Sequence, residues 1–180
     1  MLGNVNGRRL NAFVPDYVIF DLETTGISCY NDKIIEISAI KVKDGEVVEE
    51  FSELVNPERN IPYYASRVNG ITDDIVEDAR IFDDVLPDFL NFIGDSVLVG
   101  HNIHAFDMKF LYRESGRLYG KTLTNDYVDT LYYARKRLPK LPHHRLVDLA
   151  EHFDISTAGA HRALNDCRMN QKVYERLSEI

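Results

Sequence analysis

Two carboxylates stand two residues apart at the end of a short apolar run, Asp21 and Glu23 within YVIFDLETTG. In an extended chain, residues i and i+2 project to the same side, so the pair shares one face. Side by side they repel, and one is expected to stay protonated unless a cation neutralises them. Hard oxygen donors of this kind suit Mg²⁺ or Mn²⁺, not zinc. The plain alternative is a surface Asp and Glu where a strand meets a loop. It is weakened by the apolar run before the pair and by Thr24-Thr25-Gly26 after it, whose backbone could approach a ligand closely.

Two more segments carry reactive groups. Gly100-His101-Asn102-Ile103-His104-Ala105-Phe106-Asp107 follows a short apolar run, and alone it would pass for a loop with Asp107 near a helix N-terminus. His161-Arg162-Ala163-Leu164-Asn165-Asp166 leads into a final helical segment whose buried stripe reads Ala163, Cys167, Tyr174 and Leu177. Asp166 lies beside that stripe in the first turns, where the helix dipole favours its ionised form. Gly159 precedes His161, which places that histidine on a loop able to reach the same cavity. A lone histidine is more often structural than catalytic, so each segment by itself is weak.

The elements needed to position these groups can be read around them. Tyr17–Leu22 is a β-rich run and a candidate central strand. Residues 34–42 and 46–55 are two more, joined by Asp44-Gly45, a strong hairpin signal because both turn positions favour φ > 0. Residues 56–62 read as a loop. Thr72 is placed as the N-cap of a short acidic helix running to residue 79, its hydroxyl accepting an amide hydrogen bond. A second helix is expected over Asp83–Ile93, stopped by Gly94, then a buried strand over Ser96–Gly100. Helices are expected over roughly 105–115, 129–138, 145–153 and 161–178. Strands first, then strands alternating with helices, predict an α/β domain with a mixed central β-sheet flanked by helices. Residues 1–15 lack periodicity and are read as an N-terminal tail, leaving 16–180 as one domain.

Composition narrows the function classes. The chain has 180 residues, 44% hydrophobic and 28% charged, which suits one globular domain. No apolar run approaches the ~20 residues that cross a bilayer, so no membrane partner is expected. The N-terminus has two arginines but no apolar stretch after them to serve as a signal peptide. Cys29 and Cys167 lie far apart without metal-ligand spacing and are read as reduced thiols of a cytoplasmic protein. The net charge of −8 is unevenly spread. Residues 16–95 hold nineteen Asp/Glu against six Lys/Arg, whereas residues 109–145 hold nine Lys/Arg against three Asp/Glu. An acidic centre beside a basic track is compatible with a phosphate-bearing polymer, although such runs are more often solvated helix faces.

Taken together and in this order, the three segments resemble the DEDDh branch of the DnaQ-like 3′→5′ exonucleases, within the ribonuclease H-like fold. The four carboxylates and the histidine of that name match Asp21, Glu23, Asp107, Asp166 and His161. The resemblance runs from about residue 16 to the C-terminus and takes in Asn69-Gly70-Ile71-Thr72-Asp73 and Asp129-Thr130-Leu131. It is strongest to the proofreading exonuclease domains of bacterial replicative polymerases. It implies two divalent cations, Mg²⁺ or Mn²⁺, held by Asp21, Glu23, Asp107 and Asp166. It implies His161 as general base, a task suited to imidazole, whose free pKa is ~6.5. It also implies a nucleotide pocket formed by Leu22, Thr24, Thr25, Val68, Asn69 and Phe106. The expected reaction is hydrolysis of single-stranded or frayed DNA 3′ ends to nucleoside 5′-monophosphates, with a DNA polymerase subunit as a separate partner.

The chain departs from the family pattern at two places. His104 stands where a small residue is usual, and Asn69 stands in place of His or Thr. Neither removes a ligand, but both bear on the shape of the nucleotide pocket. RNA stays open as the substrate, because the pocket and not the metals reads the 2′-OH. A non-catalytic binding module would be expected to lack at least one of the five groups, and all five are present. Tyr63-Tyr64 is read as core or loop packing. His143-His144, beside the basic stretch, could contact a backbone phosphate.

Overall fold

The computed structural model describes residues 6–180. Residues 1–5 of the expected tail lie outside the described residues. The chain builds a six-stranded mixed sheet with spatial order β1-β6-β5-β2-β3-β4. The strands are β1 (Arg9–Leu10), β2 (Tyr17–Thr24), β3 (Ile34–Lys43), β4 (Glu46–Leu54), β5 (Val97–Gly100) and β6 (Tyr127–Asp129). β2, β3 and β4 run antiparallel, while β1, β6, β5 and β2 run parallel to their neighbours. The helices are α1 (Tyr63–Asn69), α2 (Asp73–Val76), α3 (Phe82–Ile93), α4 (Asp107–Tyr119), α5 (Thr130–Arg137), α6 (Leu146–His152) and α7 (Ala163–Ser178). This is the expected α/β architecture. Among the described residues no helix is long and apolar enough to cross a membrane, and both cysteines are free.

β2 is buried on both faces, which is why its sequence reads as a continuous apolar run. Val18, Phe20 and Leu22 face one core, shared with Phe89 of α3 and with Met108 and Leu111 of α4. Tyr17 and Ile19 face the other, shared with Tyr133 of α5, Leu149 of α6, and Cys167, Val173 and Tyr174 of α7. Full burial of each such side chain is worth ~1.5–3 kcal/mol. The expected α7 stripe is buried as read, with Ala163, Cys167, Tyr174 and Leu177 all shielded from solvent.

The Asp44-Gly45 turn has positive φ at both residues, 52° and 78°, as the hairpin requires. Gly94 ends α3 with a φ of 47°. Several details differ from expectation. α2 is a single turn of four residues, and the Thr72 hydroxyl donates to Asp74 Oδ1 at 2.5 Å instead of accepting an amide. The bond to Asp74 turns the hydroxyl toward that carboxylate, and no side-chain cap is formed. Residues 127–129, for which no strand was read and of which Asp129 was taken as the start of a helix, form β6 by pairing with β5. Residues 63–69, for which no element was read, form α1. There Tyr63 and Tyr64 are exposed, so packing does not account for them. Residues 8–14 are tied down although they were read as tail. Arg9-Leu10 pairs with Tyr127-Val128, Arg8 Nη2 meets Asp126 Oδ2 at 3.0 Å, and the Val14 amide donates to Tyr174 Oη at 2.8 Å. Two residues of pairing are too short to leave a periodic trace.

Candidate active site

The alternation along β2 delivers the first two carboxylates. Its odd positions are apolar under α7, Tyr17 and Ile19, and become acidic at Asp21 and Glu23 beside the N-terminal end of that helix. Asp166 comes from the first turn of α7, so the three carboxylates converge, with one oxygen from each lying within 4.8 Å of the others. Asp107, buried at the start of α4, has its Oδ1 3.1 Å from the amide of Leu22. This draws α4 against the segment between Asp21 and Glu23.

Burial raises every one of these groups, and repulsion within the set adds to it at Asp21 and Glu23. Loss of solvent, then the charge of Asp107, then those of Glu23 and Asp166, hold Asp21 well above the usual carboxylate range. Burial and the Asp166 charge push Glu23 up to about 8, against a hydrogen bond from the Asn69 side chain that lowers it. Burial lifts Asp107 to about 7, and it lifts Asp166 as well. Buried carboxyls kept from ionising are relieved by a multivalent cation, and the hard oxygen donors of Asp21, Glu23 and Asp166 are spaced to fit one.

His161 reaches the site through the loop before α7. It adopts φ 68° after Gly159 at φ 78°, and its amide donates to Asp166 Oδ2 at 3.1 Å. A left-handed residue other than Gly or Asn costs ~1–2 kcal/mol, so this turn is held by its surroundings. His161, Asp21 and Asp166 line one open cavity of about 350 Å³.

The remaining expected site residues divide by what already occupies them. Thr25 is fully buried, its hydroxyl accepting from the Lys33 amide at 3.0 Å and meeting Asp32 Oδ1 at 3.3 Å. The Thr24 hydroxyl donates to the Gly26 carbonyl at 2.6 Å. Both hydroxyls therefore shape the 24–33 turn, leaving backbone atoms for a ligand. Leu22 faces the α3–α4 core. Asn69 is buried, its Oδ1 accepting from the Ile71 amide at 3.0 Å, while Val68 beside it is exposed. Phe106 is half-buried against Phe110, with ring centroids 5.2 Å apart. His104 turns toward Tyr127, with Nδ1 2.5 Å from its hydroxyl and the rings stacked at 5.9 Å.

Two supporting groups escaped the reading of the site. Glu36 of β3 is the cross-strand partner of Glu23 and is almost fully buried. It accepts from Arg162 Nη2 at 2.7 Å and from the Ala163 amide at 3.0 Å, pinning the start of α7 on the sheet. A single Glu inside IIEISAIKV was the available signal, since a charge in a buried strand needs a partner. Asp129 accepts from the amides of Asn102, His104 and Leu131 at 3.1, 3.0 and 3.0 Å. It thereby fixes the loop that leads to Asp107. Gly100, the last residue of β5, is required where the strand gives way to that loop, because a Cβ there would sit 2.0 Å from Ile103 Cγ2.

Residues 18–174 match the family model for exonucleases. The chain belongs to the exonuclease family. Metal dependence is typical of that family, and the acidic cluster described above is in keeping with it. The chain is 35% identical over 171 residues to DNA polymerase III subunit epsilon of Aquifex aeolicus, covering 95% of this chain and 84% of that protein. It is 44% identical over 171 residues to the PolC-type DNA polymerase III of Clostridium perfringens, covering 95% of this chain. It spans only 12% of that relative's length. Among solved structures, exonuclease X in complex with 5′ overhanging duplex DNA superposes with a TM-score of 0.75 at 26% identity, over 91% of both chains. Exonuclease I, at 18% identity and a TM-score of 0.78 over 92% of this chain and 43% of that one, shares the fold.

Proposed function

We propose that this chain is a 3′→5′ exonuclease that hydrolyses single-stranded or frayed DNA ends to nucleoside 5′-monophosphates. The observation that carries this reading is the convergence of Asp21, Glu23 and Asp166 within 4.8 Å, beside His161 in one open cavity. Asp21, Glu23 and Asp166 would hold one divalent cation, Mg²⁺ or Mn²⁺. Asp21 would share a second with Asp107, directly or through water. Such a pair, when bound, stabilises the attacking and leaving oxygens of an in-line displacement at phosphorus. His161 takes the proton of the attacking water, and its backbone bond to Asp166 holds it at the site.

Leu22, Thr24, Thr25, Val68, Asn69 and Phe106 form the terminal-nucleotide pocket in this reading. Val68 and Phe106 supply apolar surface, and contacts of the stacking type are worth ~1–3 kcal/mol per base. DNA is favoured because exonuclease X carries DNA in its complex and the polymerase relatives are DNA polymerase components. A replicative polymerase is the protein partner these relatives suggest, and the cytoplasm, where free thiols persist, is the compartment.

The test uses 3′- and 5′-labelled DNA and RNA oligomers of one sequence with Mg²⁺, Mn²⁺ or EDTA, for the wild type and Asp21→Asn. A metal-dependent ladder receding from the DNA 3′ end, absent in Asp21→Asn, is expected. A ladder on RNA alone would transfer the activity to RNA. Cleavage of neither polymer by folded, metal-loaded protein would sink the reading.

A further inference from the structure

A second cavity, of about 520 Å³, opens beside the catalytic one and shares His101, Arg145 and Leu146 with it. Its other walls include Asn102, Arg135, His143 and His144, and among the described residues no carboxylate lines it. In a chain of net charge −8, and next to four clustered carboxyls, that composition is notable. Arg145 is held by Asp148 at 2.7 Å, so its charge is matched. Arg135 projects from α5 and, among the described residues, its guanidinium makes no ion pair or hydrogen bond, leaving it free to meet an anion.

The cavity is built on fixed supports. The His101 ring meets Thr130 Oγ1 at 3.1 Å and lines the cavity beside His144. The His144 Nε2 in turn meets the Leu138 carbonyl at 2.9 Å. The first contact fixes the His101 wall on α5, and the second ties the loop carrying His143 back to the end of the same helix.

Its position in the sheet gives it a direction. Of the pocket proposed above, the Thr24-Thr25 turn leads into β3 and α1 follows β4, with Phe106 following β5 to close it, whereas Arg135 follows β6, the strand beyond β5, and shares its cavity with His101 and His143. A strand whose last nucleotide lies in that pocket continues past Asp21 and Asp166 toward the cavity. We propose that this cavity is a phosphate subsite for the strand on the 5′ side of the scissile bond, with Arg135 as its charged anchor and His143 beside it. The assignment rests on the exonuclease reading above.

The test compares wild type with Arg135→Gln and with Arg135→Gln/His143→Ala on two substrates. One is a 3′-labelled (dT)12; the other is the p-nitrophenyl ester of thymidine 5′-monophosphate, which has no strand beyond the scissile bond. Arg135 is exposed, so both variants should melt with the wild type. For (dT)12 the KM should rise about fivefold or more with kcat little changed, while kcat/KM for the ester moves less than twofold. Loss of one phosphate contact should also reduce the slope of log affinity against log salt by ~0.7. Equal effects on both substrates, or none on either, would overturn the subsite. A raised Ki for thymidine 5′-monophosphate with an unchanged KM for (dT)12 would assign the cavity to released product and overturn it as well. If the wild type cleaves neither substrate, the exonuclease reading falls by itself. Fluorescence anisotropy of labelled (dT)12 in EDTA then decides the subsite: weaker binding by Arg135→Gln supports it, and unchanged binding overturns it.

Discussion

In EDTA the protein should lose stability as the pH rises from 6.5 to 8, and a divalent cation should reverse the loss. Burial and the charge of Asp166 lift the Glu23 carboxyl from 4.5 to about 8. Between those values the folded protein keeps a proton that the unfolded chain has released, so stability falls with rising pH by ~1.4 kcal/mol per pH unit. His101 acts in the opposite sense lower down. Burial depresses it from 6.5 to about 4, so its contribution is present above 6.5 and is lost as the pH falls toward 4. Asp148, held at about 2 by Arg145, matters only below the ordinary carboxylate range. Above pH 6.5 the site carboxyls therefore act alone.

Over that window Glu23 contributes a loss of ~2 kcal/mol, which lowers Tm by ~4–8 °C in a chain of this size. A cation present at a hundred times its Kd restores ~2.7 kcal/mol. Differential scanning fluorimetry at pH 6.5, 7.25 and 8, in EDTA and in saturating Mn²⁺ or Mg²⁺, measures both effects. Asp21→Asn removes one of the repelling charges, so it should melt higher than wild type in EDTA at pH 8 and respond little to metal. A wild-type Tm that stays flat in EDTA, with no metal-dependent rise at pH 8, would refute the argument that these carboxyls are held protonated for want of a cation.

Two further outcomes follow from the loop before α7. His161→Ala should lower kcat by ~10²–10⁴, the usual contribution of a positioned base, with KM and Tm close to wild type; a KM effect alone would make His161 a binding group. Glu36→Gln keeps the shape but weakens the bonds to Arg162 and Ala163 that pin the helix start. It should cost ~1–3 kcal/mol in urea unfolding and reduce kcat about tenfold, leaving the pH dependence of kcat in shape as in wild type. Unchanged kcat would remove Glu36 from the positioning of His161 and Asp166.

How much of this was legible depended on whether a residue's role is local. Asp21 and Glu23 could be read because period-2 alternation assigns a face without any knowledge of the fold, and Asp166 because helical spacing does the same. The Asp44-Gly45 hairpin needed only its own two dihedral preferences. Asp129 is different: its carboxylate collects three amides brought near only when β6 lies beside β5, and in sequence it looks like one more helix cap. Arg135 and His143 were visible as a basic stretch but not as a cavity, since its opposite wall, His101 and Asn102, lies some forty residues from His143 in sequence. β1 and β6 were too short to show periodicity, and their pairing is decided by neighbours.

β2 shows why the legible part is also the part that carries the chemistry. Its two faces do separate work: even positions fill the α3–α4 core, and odd positions start as the floor of α7 and end as Asp21 and Glu23. A slip of one residue against β3 would send both carboxylates into the α3–α4 core and turn Phe20 toward α7, so the core enforces the register that the site needs. The same register sets Glu36 opposite Glu23, which brings a fourth carboxylate to the acidic face. Arg162 matches that charge, leaving Asp21, Glu23 and Asp166 as the unmatched set. The irregularity between Glu23 and Thr24 then ends the alternation, and the chain turns away through Thr25, whose hydroxyl is anchored on Lys33. In the proposed reading, the selection between a structural carboxylate and a cation-binding one is made by a single arginine, Arg162, next to His161.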